Sequence, residues 1–236
     1  MPNDYFQFKQ FTIRQDRCAL KVGTDGMLLG AWTRYANALR ILDIGTGTGV
    51  LALIAAQRNN RAVIDAVEID REAMEQAREN VAASPWPDRI RVHWADVRNW
   101  KPAEGYDLVL CNPPFFKGHL TSHDPRTALA KHEHALSLGQ LVREADRFCN
   151  PHGRLCMIMP LDRLPELKSL TSANGFVLSR ECLVSYRANK RPKRVLVELS
   201  HTFDLELMTA EMAVEREPGE YTLEYKALLR DLKLRF

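Results

Sequence analysis

Arg40-Ile41-Leu42-Asp43-Ile44-Gly45-Thr46-Gly47-Thr48-Gly49 decides the fold of this chain. Its first five residues are a mostly apolar run of strand length. Alternating glycines follow, and Val50 to Arg58 then reads as a helix. Strand, glycine loop and helix in that order make a dinucleotide- or nucleoside-binding arrangement, because the backbone turns sharply and comes close to a ligand. The spacing is G-x-G-x-G, not the G-x-G-x-x-G that cradles a pyrophosphate, and this counts against NAD or FAD. Asp43 stands two residues before the first glycine. An anion there repels phosphate but suits a placed water or a cationic ligand.

Downstream, residues 62–69 read as the next strand, ending Val67-Glu68-Ile69-Asp70. Glu68 lies about 20 residues past the last glycine, where a carboxylate can take both hydroxyls of a ribose. Residues 71–83 read as an amphipathic helix with Ala73, Ala77 and Val81 on one face. Residues 90–94 alternate like a strand and run into Ala95-Asp96-Val97. Asp96 either accepts from an adenine amino group or is a solvated strand end.

Tyr106 to Cys111 is a buried strand by its apolar run, and Asn112-Pro113-Pro114-Phe115 ends it. Consecutive prolines extend neither a central strand nor a helix. The residue before each proline is held extended. The Asn112 side-chain oxygen and the Pro113 carbonyl therefore form an acceptor pair beside the flat Phe115 ring. That set suits a planar ring bearing an exocyclic amino group; the plainer reading is a turn after a strand.

The rest of the chain frames these motifs. Residues 5–23 read as short extended segments on the domain edge, and Thr24 as the N-cap of a helix over 27–35, with Asp25 in its first turn. After a polar loop, helices are expected near 137–149 and 161–173 and a strand at 153–159. Residues 176–186 and 194–201 form a late hairpin, which predicts one antiparallel edge strand on a mainly parallel sheet. The joining segment carries Arg187, Lys190, Arg191, Lys193 and Arg194 with no acid between them. That density suits phosphate contact or, more simply, a solubilising loop. Residues 221–236 have helical spacing and are expected to cover the domain.

Composition narrows the class. A chain of 236 residues with a net charge of +3 is long enough for one α/β domain, and its charge is too small to prove a nucleic-acid partner. No apolar run approaches the roughly 20 residues that span a bilayer. The first residues lack the basic start and apolar core of a secretory signal. Cys18, Cys111, Cys149, Cys156 and Cys182 form no CxxC pair, which predicts free thiols in a reducing cytoplasm and no metal site. The histidines of Lys131-His132-Glu133-His134 would face different sides of a helix, and His119 and His123 lie in the loop after the proline motif.

Four signals thus fall in order at the ends of successive parallel strands and converge on one crevice. Leu42 to Gly49, Val67 to Asp70, Ala95 to Val97 and Asn112 to Phe115 resemble the ordered motifs of class I S-adenosylmethionine-dependent methyltransferases. The last motif resembles that of the branch that methylates planar amino groups: adenine N6, cytosine N4, guanine N2 or a glutamine amide. Phe8-Lys9-Gln10-Phe11, Lys21 to Gly26, Asn112 to Phe116 and Arg191 to Arg194 further resemble the bacterial tRNA (adenine-N6)-methyltransferases that act on a valine tRNA just 3′ of its anticodon.

The resemblance covers about Phe6 to Phe203 and implies a doubly wound, Rossmann-like α/β fold with a seven-stranded sheet. It implies S-adenosylmethionine as methyl donor and a tRNA substrate. Gly45, Gly47 and Gly49 would back the methionine portion, with Asp43 near its amino end. Glu68 would hold the ribose, and Asp96 with Val97 would read the adenine. Lys21 to Asp25 would close over the methionine and target side, and Asn112, Pro113 and Phe115 would hold the target base. A protein glutamine methyltransferase or a ribosomal RNA guanine-N2 methyltransferase would use the same acceptor pair. An RNA-binding module without catalysis is a third alternative, against which the intact Asn112 and Glu68 speak. The expected organisation is one monomeric domain over 1–236: an extension over the cofactor site (1–36), a core (37–203) and a covering segment (204–236).

Overall fold

A computed structural model describes residues 3–18, 20–113, 136–173, 175–202 and 206–235. A small hairpin, β1 (Tyr5–Gln7) and β2 (Thr12–Arg14), precedes α1 (Thr24–Trp32). The expected strand, loop and helix follow as β3 (Arg40–Ile44) and α2 (Val50–Arg58). Next come β4 (Val63–Glu68), α3 (Arg71–Ala82), β5 (Ile90–Trp94) and β6 (Tyr106–Cys111). The second half supplies α4 (Leu138–Phe148), β7 (Cys149–Pro160), α5 (Leu164–Ala173), β8 (Val177–Arg187) and β9 (Arg194–Ser200). It closes with β10 (Met208–Glu217), β11 (Glu220–Tyr221) and α6 (Leu223–Leu229).

The main sheet has the order β11-β10-β8-β9-β7-β6-β3-β4-β5. Strands β7, β6, β3, β4 and β5 run parallel. The inner strands β3, β4 and β6 are covered on both faces and mostly buried, whereas the edge strand β5 is partly exposed. Along β6, Leu108 and Leu110 enter one apolar cluster with α1 and α2, while Val109 and Cys111 enter the other with α4. This alternation is the two-residue repeat of a strand buried on both sides.

The fold class is the one expected, and some details differ. The antiparallel strand β9 pairs with both β7 and β8, so it lies inside the sheet and not at its edge. Among the described residues the sheet has nine strands, because β10 adds in parallel to β8 and β11 folds back on β10. The final helix is shorter than its spacing suggested: Tyr221 is in β11 and Thr222 caps α6 through the Tyr225 N–H at 3.2 Å. Gly23, not Thr24, is the N-cap of α1, and its cap carries no side-chain bond.

Two contacts matter for the site. A Cβ built on Gly30 would lie 2.7 Å from Ile54 Cδ1, so the glycine lets α1 settle directly on α2. The N-terminal segment is clamped to α3 by buried amides. Asn80 accepts from Arg14 N at 2.8 Å and donates to the carbonyls of Arg14 and Thr48, both at 2.9 Å. Gln76 accepts from Arg17 N at 2.8 Å and donates to Asp16 at 3.1 Å.

Candidate active site

Strand register brings the predicted motifs to one end of the sheet. Ile44 stands opposite Val67 and Cys111, and Glu68 opposite Trp94. The segments that follow β3, β4, β5 and β6 therefore emerge side by side.

The glycine loop is held from below. Gly45 N–H donates to the Val67 carbonyl at 2.9 Å, and Gly47 N–H donates to Glu68 Oε2 at 2.9 Å. Gly47 has φ +54° and Gly49, the N-cap of α2, has φ +83°, both in the left-handed region that favours glycine. A Cβ on Gly47 would meet nothing within 4 Å, so the loop faces open space where a ligand can lie against backbone. Glu68 Oε1 accepts from the N–H groups of Ile69 and Asp70, both at 2.9 Å. Burial raises the Glu68 pKa, and the three backbone donors counter it. With about four acceptor sites on a carboxylate, Glu68 retains capacity for a diol while fixing the loop.

Asp43 is fully buried on the α2 side of β3. Its Oδ2 accepts from the Thr46 hydroxyl at 2.6 Å, and no partner for Oδ1 is present among the described residues. Burial pushes its carboxyl up to about 7, against the pull of Thr46 and the Ala52 N–H. An orphaned buried oxygen beside an open glycine loop fits a small ligand with a cationic end.

Asp96 is engaged by Arg98. Arg98 Nε donates to both carboxylate oxygens at 2.9 Å, and its Nη2 reaches Oδ2 at 2.5 Å. Val97 beside it is buried, and its carbonyl accepts from Arg147 of α4 at 3.1 Å.

Asn112 and Pro113 open into a cavity of about 210 Å³ that Lys21, Gly26, Pro160 and Arg194 also line. A Cβ on Gly26 would lie 3.6 Å from Asn112 Nδ2. Lys21 turns its ammonium outward, 3.2 Å from the Asn3 carbonyl and 3.6 Å from Asp4. Asp25 also lines the cavity, yet both its oxygens are taken: Tyr186 donates to Oδ1 at 2.7 Å and Arg194 Nε to Oδ2 at 2.8 Å. Phe115, Phe116, His119, His123 and residues 131–134 lie outside the described residues. A second, larger cavity of about 450 Å³ lies among Thr33, Tyr35, Arg58 and Asn59, at the opposite end of the sheet.

Four of the five cations of the basic segment are together and exposed: Arg187, Lys190, Arg191 and Lys193. Arg194 is half-buried and turned inward to Asp25. Arg194 pairs with Pro160 in the sheet, so the turn projects from the same end as the glycine loop.

Sequence reasoning passed over Tyr186, Gln76 and Asn80, and read Cys18 only as a free thiol. Gln76 and Asn80 carried a signal, since both fall on the apolar face of α3 with Ala73 and Ala77. Burial, then the neighbouring Glu68 and Asp70 carboxylates, pushes the Cys18 thiol up to about 12, which places the N-terminal segment over the end of β4. Among the described residues no group of His, Cys, Asp and Glu is placed to hold a metal, and no helix is long and apolar enough to cross a membrane.

Known proteins resemble this chain in sequence and in fold. Residues 23–165 match the family model of the methyltransferase small domain. A tRNA1(Val) (adenine(37)-N6)-methyltransferase of Tolumonas auensis is 44% identical, over 98% of this chain and 97% of its own. One of the same name from Parabacteroides distasonis is 40% identical over 100% of both chains. Among solved structures, a predicted O-methyltransferase from Agrobacterium tumefaciens superposes with a TM-score of 0.63 at 22% identity, over 88% of this chain and 96% of that one. A putative RNA methyltransferase from Pyrococcus horikoshii gives 0.55 at 18% identity, over 74% and 82%. These two likenesses concern the fold alone, whereas the curated relatives match from end to end. The chain therefore belongs to the methyltransferase small-domain family, and within it to the family of the tRNA1(Val) (adenine(37)-N6)-methyltransferases.

Proposed function

We propose that this chain transfers a methyl group from S-adenosylmethionine to N6 of adenine 37 in a valine tRNA. The observation that carries the reading is that Asn112 and Pro113, the two expected acceptors, line a cavity at the end of β6, beside the strand that leads into the glycine loop. The names of full-length relatives support the substrate.

The cofactor supplies an electrophilic methyl on a sulfonium whose leaving group is good. The protein's task is then positioning and charge placement. Gly45, Gly47 and Gly49 would admit the ligand to the backbone, Asp43 would face its ammonium, Glu68 would take the ribose, and Asp96 with Val97 would bound the adenine. Lys21 belongs to the wall that closes this side.

An adenine amino nitrogen is a poor nucleophile because its lone pair is delocalised into the ring. Acceptance of both N–H bonds by the Asn112 side-chain oxygen and the Pro113 carbonyl favours a tetrahedral nitrogen and draws off positive charge as the new bond forms. The base must leave its stack to reach them, and Phe115 would receive its face. Arg187, Lys190, Arg191 and Lys193 would hold the backbone of the RNA. The monomer expected from the sequence and a cytoplasmic location belong to the same proposal, and sedimentation tests the former.

The test is transfer of labelled methyl from S-adenosylmethionine to tRNA, ribosomal RNA and protein from cells lacking this chain, with nucleoside analysis. N6-methyladenosine in one valine tRNA is the expected product. Label in N2-methylguanosine or in protein would overturn the substrate.

A further inference from the structure

Two residues bracket the basic turn, Tyr186 before it and Arg194 after it, and both reach back to one carboxylate. Tyr186 donates its hydroxyl to Asp25 Oδ1 at 2.7 Å, and Arg194 donates Nε to Oδ2 at 2.8 Å. The Arg194 guanidinium also stands 6.0 Å from the centre of the Tyr186 ring. Asp25 lies in the first turn of α1, next to Gly26, whose Cα side faces Asn112. Gly30 seats the same helix on α2. A short line of contacts therefore joins exposed cations to the amide that receives the target. A half-buried ion pair of this kind adds modest stability at most. Its placement at both ends of one turn serves registration better.

We propose that Asp25, Tyr186 and Arg194 form a staple that keeps the basic turn in register with Asn112, so that an RNA backbone held by the turn presents its nucleotide to the acceptor pair. The inference deepens the tRNA reading and rests on it. Tyr186 and Arg194 are positioning residues that act through Asp25 and Gly26. The staple also accounts for the one cation of the basic segment that turns inward.

The experiment measures kcat and KM for unmodified valine tRNA, the dissociation constant of S-adenosylmethionine and the urea midpoint. The proteins are the wild type and the Tyr186→Phe, Asp25→Asn, Arg194→Lys and Lys190→Ala variants. Misplacement by about an ångström costs on the order of 100-fold. The expected result is thus a kcat lowered about 10- to 100-fold in the three staple variants, with tRNA KM and urea midpoint close to wild type, and with cofactor affinity close to wild type in Tyr186→Phe and Arg194→Lys. Lys190→Ala, which removes a contact to the RNA backbone, is expected chiefly to raise KM. Wild-type kcat in Tyr186→Phe, or a loss that only tracks the urea midpoint, overturns the staple. Should Asp25→Asn fail to fold, Tyr186→Phe decides alone, because it removes one hydroxyl. A wild type that methylates no tRNA sinks the functional reading and the staple with it, whereas an active wild type with unaffected variants sinks the staple only.

Discussion

Replacement of Asp43 by asparagine isolates the electrostatic cost of a carboxyl buried beside the glycine loop. The side chain is fully buried, one oxygen lacks a partner among the described residues, and burial pushes its carboxyl from 3.8 up to about 7. Below pH 3.8 the folded and unfolded states are both protonated and folding carries no penalty. As pH rises toward 7 the unfolded chain ionises while the folded one keeps its proton, so stability falls. Above that the penalty is complete, about 4 kcal/mol by the equivalence of pKa and free energy. Asparagine has the same shape and never ionises. With its amide oxygen turned to the Thr46 hydroxyl it keeps that bond, and its Nδ2 takes the place of the partnerless oxygen, a change that does not depend on pH. Urea denaturation of both proteins from pH 4 to pH 8 should therefore show the Asp43→Asn variant gaining on the wild type with pH and levelling off above 7. A cationic ligand beside Asp43 would pull its proton off, so binding of S-adenosylmethionine at pH 6 should release a proton in the wild type and none in the variant. Parallel stability curves would refute the buried protonated carboxyl. Equal proton release by the two proteins would refute the placement of the ammonium.

Asn112→Ala should lower methyl transfer by about 100-fold or more, the scale of losing one transition-state hydrogen-bond partner, with cofactor binding retained; transfer near the wild-type rate would defeat the acceptor mechanism. Gly30→Ala forces a Cβ to 2.7 Å from Ile54 Cδ1 and 3.0 Å from its Cγ2, so it should cost about 1–3 kcal/mol in urea denaturation, and Ile54→Val should restore part of it. An undisturbed urea midpoint would show that α1 does not rest on α2 through this glycine. Lys190→Ala and Arg191→Ala should each reduce the salt dependence of tRNA binding by about one phosphate contact, and an unchanged slope would return the turn to a solubilising role.

What could be read from the chain, and what could not, divides by sequence distance. The glycine loop, Glu68, Asp96 and Asn112 were legible because each lies at or just past the end of a strand announced by its own apolar run or alternation, and parallel strands in a doubly wound sheet deliver such ends to one edge. The position of β9 was not legible: residues 194–200 declare a strand, but which neighbours it joins depends on partners on both sides. Strand β10 went unread because its first four residues are exposed and give little apolar alternation to find. Asp25 is the sharpest case. Its place in a first helical turn was visible locally, and that reading was true as far as it went. Its partners stand 161 and 169 residues away. No periodicity links such distances, and only closure of the sheet brings Arg194 opposite Pro160 and so within reach of α1. The cations of the basic turn were visible as a density of charge, but a density does not say which member faces inward. Arg194 differs from its neighbours because it starts β9, where the two-residue alternation of a strand directs its side chain over the cavity, whereas the turn residues before it follow no such repeat. Reading a basic run beside a strand boundary should therefore assign the strand's first cation to the site and the others to the solvent.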